Sequence, residues 1–542
     1  MTAAVERTPA PTSSSAGGAW SPFRRGTFRA LWIATVASNI GTWMHDVGAG
    51  WFMTSLSPSP FMVALVQAAT TLPMFLFALP SGVLADIVDR RRFLIAAQLW
   101  GLAAALTLGI LALLGLVGPG ILLAATFALG AGAAMNAPAF QAIVPELVPK
   151  EELSSAVALN SMGINVSRAI GPALAGAILS FAGPAVVFLL NALSFLGVLT
   201  VLLAWKREPT PNRLPPEHFF PAVRAGLRYV REAPALRAVL VRAVAFFAFG
   251  SAAWALLPIV TRNELGEGPG GYGILLACIG VGAVAGALLL PRFRARLSAD
   301  RLTVLATWAF ATATLALAFV RTFELVAVAM LVAGFSWIAM LSSLNVGAQQ
   351  ATAGWVKARA LSVFLVVFFG SMAGGSAVWG QVATLAGTPT ALALAAAGLV
   401  LGSAAALRFS LAGGAGLDLA PSMHWPAPMV EHDPEPDRGP VMVTVEYRID
   451  PADAAAFAAA MAELGRARRR SGALSWGVFE DAAAPGRYLE YFILHSWLDH
   501  LRQHERVSRT DQALQERARA FHRGAEPPRV SHLLAPAAGG AS

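Results

Sequence analysis

Charge is scarce in this sequence. Only 13% of the 542 residues are Asp, Glu, Lys or Arg, against 56% hydrophobic, and mean hydropathy is +0.60. Soluble domains carry about 25% charged residues. So little charge cannot coat a water-facing globule, and the chain is too apolar to be disordered as a whole. The balance is that of an integral membrane protein, with the lipid bilayer as its first partner. Cysteine is nearly missing. Cys278 stands alone in an apolar run, which excludes an intrachain disulfide framework and a Cys-based metal cluster. Lysine occurs only at Lys150, Lys206 and Lys357, so the net charge of +9 is carried by Arg. In a soluble protein that excess would suggest nucleic acid. Here the Arg residues punctuate apolar runs, and no nucleic-acid partner is expected. A Gly-rich phosphate loop is also missing, which argues against an ATP-driven pump. Neither a cofactor nor a metal is expected.

What charge there is falls unevenly. Up to about Arg408 the chain is overwhelmingly apolar, and after about Pro440 it has the Arg, Glu, Asp and His density of a soluble domain. A bilayer core of about 30 Å needs roughly 20 apolar helical residues. Twelve runs fit: about 28–53, 60–83, 93–116, 120–144, 155–181, 184–205, 237–260, 272–293, 301–320, 323–346, 358–382 and 388–410. The links SLSPSP, LVGPG, FAGPA and AGTPT hold neither Lys nor Arg. The other side carries Arg90–Arg92, Lys150, Lys206 to Arg237, Arg292 to Arg301, and Lys357 with Arg359. The positive-inside rule makes that side cytoplasmic, and an even span count puts both termini there. A multi-pass protein of a bacterial plasma (inner) membrane is expected.

The segments read as follows. Residues 1–26 are Pro/Ser-rich, lack the apolar core of a signal peptide, and read as a disordered cytoplasmic tail. Residues 27–205 and 237–410 are two six-helix bundles. Between them, 206–236 reads as an amphipathic helix on the cytoplasmic leaflet. Residues 411–439 are a Pro/Gly-rich linker. Residues 440–537 follow the order strand, helix, strand, strand, helix, strand, with one charged helix over Leu498–Phe521, which predicts an α+β ferredoxin-like domain. The bundles echo each other. Asn136-Ala-Pro-Ala-Phe-Gln141-Ala142 in the fourth span matches Asn345-Val-Gly-Ala-Gln-Gln350-Ala351 in the tenth. Two parallel repeats of this kind are a transporter architecture.

The loop after the second span reads Gly82-Val-Leu-Ala-Asp86-Ile-Val-Asp89-Arg90-Arg91-Arg92. It resembles the signature loop of the major facilitator superfamily at Gly82, Asp86, Arg90 and Arg91. Ile87 stands where the pattern has a basic residue, and Asp89 where it has glycine. The resemblance implies a cytoplasmic gate. NAPAFQAIVPELVPKEELSSAVALNSMGINVSRAIGPALAG and the tail stretch WLDHLRQHERVSRTDQALQERARAFHRG resemble the transmembrane secretion effector family within that superfamily. Its members include an enterobactin exporter and antibiotic-resistance proteins, and the likeness covers nearly the whole chain. Gly171-Pro172-x3-Gly176 resembles the Gly-Pro motif of drug–proton antiporters, with altered glycine spacing, and suits a bending helix. The last segment resembles the dimeric α+β-barrel family that includes antibiotic-biosynthesis monooxygenases. That likeness implies self-association or a regulatory role.

Ionisable residues inside a bilayer are costly and mark pathways. Asp46 and Arg168 are the two in question. Asn39, Trp43, Asp46 and Gly50 share one helical face, as do Ser161, Asn165, Arg168 and Pro172. Asp46 is the proton-coupling candidate, because a carboxylate for which proton and substrate compete gives antiport. Arg168 suits an anionic ligand. Asn39, Trp43, Asn165, Asn136, Trp254, Trp337 and Asn345 are further cavity candidates, with Gln67 and Phe246 beside them, since aromatics and amides make a tolerant pocket. In the tail, Trp476, Trp497, His495, His500 and His504 suggest chemistry, and His500 and His504 have metal-ligand spacing on a helix. No third ligand or base accompanies them, so a solvated helix face is the simpler reading. The expectation is a non-enzymatic secondary transporter of the all-α major facilitator fold. It would export a small organic substrate, a siderophore or hydrophobic drug, against protons. The alternatives are a membrane-tethered oxidative enzyme acting through the tail, or an importer of the same fold.

Overall fold

The computed structural model describes residues 18–205, 228–414, 416–426 and 434–536. Eleven long helices come first: α1 Gly26–Leu56, α2 Pro60–Ile87, α3 Arg90–Leu113, α4 Pro119–Leu147, α5 Leu153–Ala204, α6 Pro234–Ile259, α7 Pro269–Arg294, α8 Ala299–Phe319, α9 Phe323–Gln350, α10 Lys357–Ala386 and α11 Thr388–Ser403. Among the described residues, ten helices are long and apolar enough to cross a membrane by length and composition. Helix α1 is long enough, at 31 residues, but Asn39, Thr42, His45 and Asp46 make it more polar than the rest. Helix α5 runs for 52 residues, about 78 Å at 1.5 Å per residue, far more than a bilayer core of about 30 Å. It is broken at Gly183, whose φ of 76° is non-helical. The FAGPA link is therefore a single glycine corner between two helical limbs: Gly183 takes the left-handed conformation and Pro184 starts the next limb.

Chain order divides the helices into α1–α5 and α6–α11, and the two groups pack extensively on each other through α2 with α10 and α5 with α7. Small residues bring the axes together. A Cβ on Gly171 would lie 2.5 Å from the Trp43 Cβ, so α1 and α5 touch there backbone to side chain. The Ser167 hydroxyl donates to the Val36 carbonyl at 3.2 Å along the same seam. Between the groups, α5 crosses α7 at Gly176 and Gly273, where a Cβ on Gly176 would lie 2.9 Å from the Gly273 Cα.

The tail is a four-stranded sheet of β1 Val441–Arg448, β2 Ser475–Glu480, β3 Arg487–Leu494 and β4 Arg529–Leu534, in the order β2-β3-β1-β4. All three pairings are antiparallel, with Val443 opposite Phe492 on one side and His532 on the other. Helix α12 (Ala454–Ser471) follows β1 and ends in Arg468, Arg469 and Arg470, suited to the helix C-terminus. The single helix expected over Leu498–Phe521 is two, α13 Trp497–Arg506 and α14 Arg509–Arg519. Val507 is extended, and Ser508 starts a new helix by exchanging hydrogen bonds with Asp511 in a capping box. Phe457, Met461 and Leu464 of α12 pack on Val445 and Tyr447 of the sheet.

Two segments are more ordered than their composition predicted. From residue 18 the amino-terminal stretch is folded: Ser21–Arg24 forms a helical turn and the Phe23 ring packs on Trp32 at 4.9 Å. Part of the linker is a strap on the tail. Arg509 N–H donates to the Ala420 carbonyl at 3.0 Å, and Ser422 N–H to the Val507 carbonyl at 2.9 Å. Of the amphipathic segment expected over 206–236, residues 206–227 lie outside the described residues. The tail meets the helices through Arg506, 4.5 Å from the Trp355 ring, and Arg469, 3.6 Å from Glu232. Below, the tail-domain face means the end of the helices that carries these contacts.

Candidate functional site

Helix α1 supplies the polar face. Asn39, Trp43 and Asp46 are half-buried and Gly50 is buried. Helix α5 lies alongside. One arc of it meets α1 through Gly163, Ser167 and Gly171, and another meets α7 through Ala169, Pro172 and Gly176. Arg168 lies between these arcs with the exposed Ser161 and Asn165, while Val166 and Ile170 are exposed on the far side, as lipid-facing residues are. The Arg168 guanidinium stands 5.5 Å from the centre of the Trp43 ring, a cation–π contact. Its Nε is buried with no hydrogen-bond partner. The structure thus brings Trp43 and Arg168 together, with Asp46 one turn further along α1. Asn165 spends an amide hydrogen on the Ser161 carbonyl, 2.9 Å away. Gly171, Pro172 and Gly176 are all buried at helix crossings.

The two helix groups meet chiefly from mid-depth to the face opposite the tail domain. Arg262, just after α6, donates to the Thr54 and Ser55 hydroxyls at 2.9 and 2.7 Å and covers the Trp51 ring. Tyr272 stacks on Trp51 at 5.9 Å and closes over Gly50. The Phe61 N–H donates to Thr384 Oγ1 at 3.1 Å. At the tail-domain face, Arg90 pairs with Glu146 of α4 at 2.9 Å, and Arg91 donates to the Leu202 and Leu203 carbonyls at 2.7 and 2.8 Å. These arginines hold α3 to α4 and α5. Gly82 and the Asp86 side chain lie outside what the structure describes.

The other cavity candidates are dispersed. Asn136 accepts from Gln98 at 3.0 Å, and Asn345 from Gln349 at 2.6 Å, each inside its own group. Trp337 is only 7% exposed and is packed into a ring cluster with Phe246, Phe247, Phe310 and Trp254 at 5.2–5.8 Å. Trp337 and Phe246 therefore fill the core of α6–α11 rather than an open cavity, and Trp254 sits at the cluster's edge.

His45 and Tyr272 were not picked out from the sequence. His45 is 1% exposed and neither ring nitrogen has a partner. Gly41, His45 and Gly48 recur at helical spacing and face the second limb of α5, where Phe188 packs on the imidazole at 4.8 Å. A histidine between two glycines on one face was the available signal.

In the tail, Trp497 and Trp476 are structural. Trp497 is buried, and Trp476 donates to Glu490 at 3.0 Å beside the fully buried Arg468–Glu490 pair, also 3.0 Å. His495 is exposed. His500 and His504 do not form a solvated face. Their Nε2 atoms are 3.3 Å apart, and the tilted His532 ring of β4 packs on His500 at 4.8 Å. Burial first, then the neighbouring His532 and His504, push His500 down to about 3. Burial also lowers His504 and His532. These imidazoles are neutral at pH 7. Among the described residues no group of three His, Cys, Asp or Glu is arranged to hold a metal.

A sequence profile described as transmembrane secretion effector matches residues 17–539, tail domain included. The chain belongs to that family. It is a multi-pass membrane protein of a transporter family and not an enzyme. Similar proteins include a staphyloferrin A transporter of Staphylococcus aureus, 25% identical over 52% of this chain and 70% of its own length. A macrolide efflux protein of Streptococcus pyogenes is 24% identical over 49% of this chain and 66% of its own. An enterobactin exporter of Salmonella typhi is 27% identical over 48% and 62%. The chain thus spans 70% of the first relative and under two thirds of the other two. Among solved structures, a bacterial homologue of the human lysosomal transporter Spinster, inward-facing and unoccupied, has a TM-score of 0.57 at 16% identity, covering 73% of this chain and 97% of its own. A POT family transporter reaches 0.60 at 12% identity, covering 71% and 96%. At such identities the likeness is one of fold.

Proposed function

We propose that this member of the transmembrane secretion effector family is a secondary exporter. It moves a small organic molecule, a siderophore or hydrophobic drug, out of a bacterial cell in exchange for protons. The observation that carries this is the half-buried polar face of α1, with Asp46 one turn from Trp43 and Arg168, at the junction where α1, α5 and α7 meet. The names of the relatives, two siderophore transporters and a macrolide efflux protein, support the substrate range. In this reading residues 27–205 and 237–410 are two bundles of six spans, twelve in all, counting α1 and the two limbs of α5 separately. The Arg-rich face is cytoplasmic, both termini lie there, and residues 440–537 form a ferredoxin-like domain. Its strand order, β2-β3-β1-β4, supports that assignment.

Asp46 carries the proton, and Arg168, Trp43, Asn39 and Asn165 shape the substrate site. Asn136, Trp254 and Asn345 bound it from further out. Gly82, Asp86, Arg90 and Arg91 act on the cytoplasmic gate, and Gly171, Pro172 and Gly176 let α5 bend. The tail's uncovered sheet face, with Phe479 61%, Leu489 41% and Leu533 47% exposed, is the surface for self-association. The test is uptake of catecholate siderophores and hydrophobic drugs into inverted vesicles under an imposed pH gradient. Gradient-dependent uptake is expected. Uptake that persists after the gradient is collapsed would refute proton coupling.

A further inference from the structure

We propose that the Arg168 guanidinium, backed by the Trp43 ring, is an anion subsite that receives one carboxylate or catecholate group of the organic ligand. This rests on reading the polar arc of α5 as part of the transport cavity, and it commits that cavity to a charge.

Two buried arginines set the standard for the half-buried Arg168. Arg242 is 4% exposed and is paired with Asp300 and hydrogen-bonded to Thr303. Arg468 is 5% exposed and holds Glu490 through two hydrogen bonds. An arginine in apolar surroundings needs such a partner, because an uncompensated buried charge is costly. Arg168 departs from this pattern. It forms no ion pair with a described carboxylate, its Nε is shut away without an acceptor, and its contact is the Trp43 ring. A ring face does not use up guanidinium N–H donors, which lie at the edge in a planar fork matched to an oxyanion. Asp46 lies nearby on α1 but outside ion-pair distance, so the cation stays open.

Depth narrows the occupant. Arg168 is fifteen residues from Leu153 and fifteen from Gly183, the ends of its limb, so it sits about 22 Å along the axis from either end. A lipid headgroup at the bilayer surface does not reach that far. The position is also where the two helix groups touch, since a Cβ on Gly280 of α7 would lie 3.3 Å from the Arg168 carbonyl. The backbone at Arg168 therefore lies on the seam between the groups.

The test uses purified full-length protein in nanodiscs and three probes of matched shape, 1-naphthoate, 1-naphthamide and 1-naphthylmethylammonium, titrated by calorimetry. Naphthoate is expected to bind about tenfold or more tightly than the amide, the scale of a charge-assisted hydrogen bond, and the ammonium more weakly than either. Arg168→Gln should erase the gap, leaving amide affinity within about twofold. Arg168→Lys should retain part of it. Trp43→Leu should weaken naphthoate while keeping its preference, which covers the case of a glutamine variant that does not fold. Equal binding of naphthoate and naphthamide by the wild type, no binding of naphthoate, or a preference that survives Arg168→Gln overturns the subsite. So does a preference present in neutral-lipid nanodiscs and lost in anionic ones, which would identify a lipid headgroup as the occupant. Proton-driven transport without anion preference would sink the subsite and leave the exporter standing. Anion preference without proton-driven transport would do the reverse.

Discussion

The two groups of membrane helices treat their polar residues differently. In α6–α11 the one deeply buried cation among the described residues, Arg242, is matched by Asp300, and the interior is filled by rings around Trp337. Buried polar atoms without partners occur in both groups, but in α6–α11 they are serine hydroxyls, at Ser336, Ser343 and Ser376, whereas in α1–α5 they include the larger His45, Asn191 and Arg168 side chains. Unsatisfied buried groups each cost about 1–3 kcal/mol, and stability alone does not retain them. On the proposed reading, the unpartnered imidazole, amide and guanidinium of α1–α5 serve transport, and the ring-filled α6–α11 group serves as scaffold.

The largest expected effect breaks this contrast where it is sharpest. Asp300→Ala should strip Arg242 of its counter-charge and cost about 3–5 kcal/mol, read as a fall in thermal midpoint and folded yield. Arg168→Gln, which removes a cation that has no counter-charge, should leave the midpoint unchanged or higher. Equal losses in both variants would erase the distinction. Next is the contact between the groups. Gly273→Ala pushes a methyl into the Gly176 backbone and should cost about 1–3 kcal/mol by overpacking, with transport falling further than stability because α5 and α7 are held apart. A fully active Gly273→Ala protein would mean that this crossing is loose.

The tail domain extends the comparison to pH. His500 is held near 3 when folded, against about 6.5 in an unfolded chain. Its folded value is depressed, so the unfolded state binds the proton first as pH falls. Stability is therefore full above about 6.5 and declines down to about 3, by up to about 1.4 kcal/mol per pH unit for each such imidazole. Hydrogen exchange of β4 and α13 in the full chain should quicken over that window, and His500→Phe should flatten the response. The smallest effect is at the domain contact. Arg469→Ala removes a half-exposed pair with Glu232 and should change stability by less than about 1 kcal/mol. A larger loss would make that contact a structural anchor.

Much of this organisation was legible in the sequence. Scarce charge marked the membrane region, Arg clusters marked one face, and the period-two run Val441–Tyr447 marked the first tail strand. The break between the spans at 155–181 and 184–205 was legible in the FAGPA link, and Gly183 is its corner. Two features were not legible, each for a physical reason. The break at Val507 hid because a capping box within a charged, Arg-rich run keeps helical spacing on both sides. Trp337 was misread as a cavity residue because hydrophobic periodicity cannot separate a packed ring cluster from an open wall when nearly every face is apolar. The interior of α1 gave its Trp43–Asp46 face readily, yet His45, one residue away and pointing elsewhere, needed three dimensions.

The most direct measurement compares wild type with Asp46→Asn in inverted vesicles, scoring both pH-gradient-driven uptake and substrate exchange without a gradient. If α1 carries the coupling, the variant loses gradient-driven uptake and keeps exchange. Gradient-driven uptake equal to wild type would contradict the account and remove Asp46 from the mechanism.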